Sequence, residues 1–134
     1  MVLKLASVLL LLVSVGCQAV EFPIELVEYV DDARVVALVN ESDIDEGSGW
    51  VPGSGAPPLS IEDAVAIVRS AIADDTRLAD SSVREIVLKR IPRHTEHWHY
   101  VIKLQYGSSD HPRTQFFVVL MNRRLIPAIR EPER

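Results

Sequence analysis

The segment HWHYVIKLQY, residues 97 to 106, constrains the fold more than any other stretch. Trp98, Tyr100, Ile102, Leu104 and Tyr106 alternate with His97, His99, Lys103 and Gln105. Successive side chains of a strand point to opposite faces, so this spacing predicts an antiparallel strand with one dry and one wet face. Only Val101 interrupts the polar side. A dry face this rich in aromatic and aliphatic side chains needs a cover.

The cover is carried by LSIEDAVAIVRSAIADD. Ser60 has N-cap chemistry, and Glu62 and Asp63 follow where the helix dipole favours anions. Ile61, Ala64, Val65, Val68, Ala71 and Ile72 recur at helical spacing. That predicts a helix over 61–73 whose apolar stripe is core.

Two more strands flank the first. VREIVLKRI, 83–91, sets Ile86 and Leu88 against Glu85 and Lys89, with Val87 on the polar side. QFFVVLM, 115–121, is apolar on both faces, as a central or covered strand would be. GSSDHPRT reads as the hairpin loop before it, Asn122-Arg123-Arg124 as a tight turn, and LIPAI as a short closing edge strand where Pro127 is tolerated. Upstream, IELVEYVDDARVVALVN, 24–40, reads as a hairpin around Asp31-Asp32, with a short helix over 24–30 as the alternative. The expected fold class is α+β. One helix packs on a curved antiparallel sheet of four to five strands, with residues 59–130 and 20–40 forming one domain.

Between hairpin and helix lies ESDIDEGSGWVPGSGAPP, 41–58. Four glycines, three prolines and a run of acids preclude a regular element. Trp50 sits in its middle. A Trp in such a loop either folds back onto the core or meets a partner; packing back is the favoured reading, and Trp50 is the candidate partner contact.

The first 19 residues stand apart. Lys4, an apolar run from Leu5 to Val15 and then small residues make a secretory signal, since a spanning helix needs about 20 apolar residues. Cys17 follows Val15-Gly16 and resembles a bacterial lipoprotein box, in which a diacylglycerol is attached to the cysteine; Ser14 stands where that family prefers Leu. Lipidation of Cys17 is favoured and would anchor the domain to a membrane. Cleavage after Ala19 is the alternative and would leave it free in the periplasm. Cys17 is the only cysteine, so the processed domain has neither a disulfide nor a thiol nucleophile.

The formal charge of −5 is unevenly spread. Residues 18–83 hold 14 acids against 3 bases, and residues 84–134 hold 10 bases against 5 acids. An acidic exported chain lacks the basic footprint of a nucleic-acid binder. The two halves are expected to lie against each other within one domain, with an anion-binding basic face as a weaker expectation.

Chemistry-bearing motifs are few. Three of the four histidines, His94, His97 and His99, fall within six positions. His97 and His99 share a face if the strand begins there, and an H-x-H pair is a real metal-ligating arrangement. A third ligand is lacking: Glu96 points the other way, His94 lies across a turn, and His111 sits at the far end of the hairpin. Solvated imidazoles on a wet face are therefore the favoured reading, with His97 and His99 as metal ligands the alternative. No nucleophile elbow, phosphate loop or zincin motif is present. DIDEGSG lacks the ligand spacing of a calcium loop. No cofactor is implied.

In pattern and order, residues 59–129 resemble the PepSY domain of exported bacterial proteins. The resemblance lies in the helix LSIEDAVAIV, the strand VREIVLKRI, the tyrosine-bearing strand HWHYVIKLQ and the final hairpin QFFVVLMNRRLIPAI. Asn122, Arg123 and Arg124 stand where that family usually has an acidic residue and a glycine, and a cystatin-like roll is the alternative. The resemblance implies a noncatalytic binding or inhibitory module and carries over no functional residue. The expected function is accordingly an exported, inhibitor-like or binding module of the bacterial cell envelope with a protein partner; the alternative is a metal-binding protein using His97 and His99.

Overall fold

In a computed structural model of the chain, the structure describes residues 20–44 and 46–132. Residues 1–19, on which the expected signal segment and Cys17 fall, lie outside the described residues. The first two strands, β1 (Ile24–Val30) and β2 (Ala33–Val39), form the expected hairpin. Its two turn residues, Asp31 and Asp32, have φ of 50° and 62°. Positive φ at both central positions matches the right-handed twist of the flanking strands, and Asp tolerates it better than most residues.

The helix α1 (Ile61–Ala71) begins where its cap predicts: the Ser60 Oγ accepts from the Asp63 N–H at 3.1 Å. Its core side is narrower than the sequence stripe, because Ala64 and Val68 are buried but Ile61 is 54% exposed. The strands β3 (Ser82–Arg90), β4 (Trp98–Ser108), β5 (His111–Leu120) and β6 (Leu125–Ile126) follow in an antiparallel sheet of that order. The segment expected to be a loop, GSSDHPRT, is mostly strand. Gly107 pairs with Pro112 and Ser108 with His111, leaving Ser109-Asp110 as the turn.

The expectation of a single sheet is corrected. A last strand, β7 (Ala128–Arg130), leaves the four-stranded sheet and pairs with β2, giving a second sheet of order β1-β2-β7. Pro127 separates β6 from β7. Having no N–H to donate, it suits the point where the chain leaves one ladder for another.

Two apolar clusters show how the layers stack. On one face of the four-stranded sheet, Tyr100, Ile102, Leu104, Phe117 and Val119 meet Ala64, Val68 and Ile72 of the helix. On the other, Val101, Phe116, Val118 and Leu120 meet Ile24, Leu26, Val35, Ala37 and Val39 of the hairpin. The supposedly wet face of β4 is therefore covered. Val87 and Val101, out of place on a solvated face, pack into this second cluster.

Ion pairs join the two halves of the chain. Glu28 of β1 pairs with Lys89 of β3 and lies 3.5 Å from Lys103 of β4. Arg130 lies 3.7 Å from Asp31. Asp43, 9% exposed, receives Arg124 Nη1 at 2.6 Å and the Asn40 N–H at 2.9 Å, and its carbonyl accepts from Asn122 Nδ2 at 2.8 Å. The turn that departs from the PepSY pattern thus clasps the segment after β2.

Candidate functional site

The loop before the helix is held at several points. The Trp50 N–H donates to the Glu96 carbonyl at 2.7 Å, and its indole Nε1 donates to the Gly55 carbonyl at 3.1 Å. Gly53 and Gly55 have φ of 96° and 103°, a region that a side chain would strain, and this lets the chain double back under the ring. Further on, Leu59 is buried, and its carbonyl accepts the Tyr100 hydroxyl at 2.7 Å. Burial raises the Tyr100 phenol above its ordinary pKa, so it stays protonated and serves as the donor.

These anchors leave a groove of about 370 Å³ lined by Trp50, Pro57, Ile61, Ile86, Leu88 and Tyr100, with Ser60 at its rim. Ile61 comes to it from the first turn of α1, and Ile86 and Leu88 come from β3. The polar groups present are already engaged: Ser60 Oγ by the Asp63 N–H, and Tyr100 by Leu59. An apolar groove whose polar groups are engaged within the fold is suited to holding an apolar side chain.

The groove opens beside a sheet edge. β3 pairs only with β4, and among the described residues no other backbone segment bonds its outer edge. Charged residues, Arg84, Glu85, Lys89 and Arg90, and a register shift between Val83 and Glu85 guard its two ends. Such devices discourage edge-to-edge pairing. The middle of the strand, Ile86-Val87-Leu88, carries none of them.

The histidines are separated by the start of β4. Because the strand begins at Trp98, the two-residue period does not extend to His97. The His97 ring lies 5.6 Å from that of His94, edge to face, and His94 Nε2 is 3.1 Å from Glu41. His99 is instead 2% exposed, inside the layer between the two sheets, and its Nδ1 has no hydrogen-bond partner. This corrects the expectation of a solvated imidazole. Burial lowers the His99 pKa to about 4, with the Lys89 charge acting the same way and Glu28 opposing both. A cavity of about 140 Å³ between β1 and β3 lies beside it, lined among others by Leu26, Glu28, Lys89, Val101 and Phe116. Among the described residues, no three His, Cys, Asp or Glu side chains are grouped to hold a metal ion.

Trp50 is thus the one sequence-nominated residue that the structure places in the groove. Ile61, Ile86 and Leu88 escaped notice as site residues because each also fits a core stripe. The signal available was Ile61 itself, at the first helical position, where an apolar side chain hangs beyond the capped turn. Compared with family models, with curated proteins and with solved structures, the chain matches none. Among the described residues, no helix is long and apolar enough to cross a membrane.

Proposed function

We propose that the chain is an exported, noncatalytic binding module, inhibitor-like in kind, that holds an extended apolar segment of a cell-envelope protein in the Trp50 groove. The observation that carries this reading is the groove itself: an apolar trough beside an unpaired strand edge, walled by a half-buried Trp50 and an exposed Ile61. An extended segment adding to a sheet edge gains main-chain hydrogen bonds from the edge and selectivity from a side-chain pocket next to it. The middle of β3 offers the first and the groove offers the second. Leu5 to Val15 and Cys17 support export and a lipid tether. A net charge of −5 favours a protein over a nucleic acid as partner. The PepSY-like order of helix, strands and final hairpin supports a binding or inhibitory role.

Photocrosslinking in intact cells tests it. A photoreactive side chain at position 61 should give one discrete adduct that is lost in a Trp50→Ala background. The same group at the exposed Ala66, on the far side of the helix, should give none. Equal adducts from both positions, or none from position 61, would contradict the reading.

A further inference from the structure

A second concavity lies where the two sheets part. β5 pairs with β6 only at Val118 and Val119. The chain then crosses at Pro127 to join the other sheet, so the earlier part of β5, paired with β4 on one edge, has no ladder partner on its other edge. The opening is a cleft of about 320 Å³, at the small end of ligand sites. Its walls are largely polar, with Tyr106, Thr114 and Gln115 beside the arginines, and a small apolar patch of Val30, Val35, Phe116 and Ala128 lies at its base.

Three arginines from distant parts of the chain line it: Arg77 after the helix, Arg113 on β5 and Arg130 on β7. Among the described residues, no carboxylate lines the cleft. Arg77 is held by Asp75 at 2.9 Å, and Arg130 lies 3.7 Å from Asp31, a separation too long for a good hydrogen bond. The Arg113 side chain is exposed, and its guanidinium has no ion pair or hydrogen bond among the described residues. With Arg77 and Arg130 each beside a carboxylate, Arg113 is the unneutralised charge at the cleft, and the planar fork of Arg matches a carboxylate or phosphate two bonds at a time.

We infer that this cleft binds a small amphiphilic carboxylate, with its head group at Arg113 and Arg130 and its hydrocarbon body against Val35, Phe116 and Ala128. The apolar patch selects this class over inorganic phosphate, which would leave the patch uncovered. The site is separate from the Trp50 groove and shares no lining residue with it.

Titration of the processed protein with octanoate, followed by amide NMR shifts and calorimetry, tests the inference. Saturable binding is expected, with shifts centred on residues 113–116, 128–130 and Val35. Arg113→Gln should weaken it roughly tenfold or more, as loss of a charge-assisted pair does. This residue is exposed, so circular dichroism should show the fold unchanged. Octanol and phosphate should each bind at least tenfold more weakly than octanoate. Three results would each overturn the inference: octanol binding as tightly as octanoate, phosphate doing so, or shifts centred on Trp50 and Ile61. Absence of saturable octanoate binding would overturn it as well.

Discussion

Trp50 stands edge-on to Trp98, with ring centroids 6.1 Å apart and planes at 76°. This geometry lets the positive edge of one ring meet the negative face of the other, and such pairs add about 0.5–1.5 kcal/mol beyond their area. It fixes a glycine-rich loop against the first residue of β4 and so sets one wall of the groove. Trp50→Ala should lower stability by about 1–2 kcal/mol, with little change in helix content. Urea denaturation followed by circular dichroism measures both. A variant as stable as the parent would mean that the loop does not hold this position in solution.

The helix is tied at its other end by Arg69. Its Nη1 and Nη2 donate to the Ser81 hydroxyl and carbonyl, each at 2.8 Å. Lysine keeps the charge but lacks the planar fork. Arg69→Lys should therefore cost about 1–2 kcal/mol, close to the cost of Arg69→Met. Full retention of stability by the lysine variant would show that charge alone matters there.

Ser60 caps α1 directly beside the groove. Ser60→Ala should cost about 1 kcal/mol, and Ser60→Asp should recover most of it, since Asp caps as well as Ser. Chemical denaturation of the three proteins checks the order. Equal stability of all three would remove the cap from the account.

Much of the fold was readable before any coordinates. The Asp31-Asp32 turn, the Ser60 cap and the alternation from Trp98 to Tyr106 each have a local cause, and each element forms about where those causes place it. The stacking of the hairpin on β4 was not readable, because it depends on contacts between residues more than 60 positions apart. Val87 and Val101 were its only local trace, along with the second apolar face of β5 formed by Phe116, Val118 and Leu120. Two covered faces require apolar residues on both sides of the central strands. The histidines between them hid that pattern in β4. The lining of both concavities was equally hidden, since Arg77, Arg113 and Arg130, like Trp50, Ile61 and Leu88, are brought together only by the topology.

Burial of His99 makes stability depend on pH in a definite direction. Its folded pKa of about 4 lies below the unfolded value near 6.5, so between these limits the unfolded chain binds the extra proton. The contribution is complete above pH 6.5 and is lost as pH falls toward 4, amounting to about 3 kcal/mol. Glu28 on β1, Lys89 on β3 and Lys103 on β4 are the charged groups nearest this layer, and their pairing limits how far the charges can rearrange. In His99→Leu the loss of stability between pH 6.5 and 4 should be smaller by about 3 kcal/mol. Denaturation midpoints across this range decide the matter, and parallel slopes for parent and variant would contradict it.

The most direct test of the two-sheet stacking on which the amphiphile cleft and the buried layer depend is an NMR titration of the His99 ring in the folded protein. A covered β4 face requires the imidazole to stay neutral down to about pH 4, with slow exchange of its ring N–H. If the ring instead titrates near pH 6.5, as a solvated histidine does, the hairpin does not cover that face.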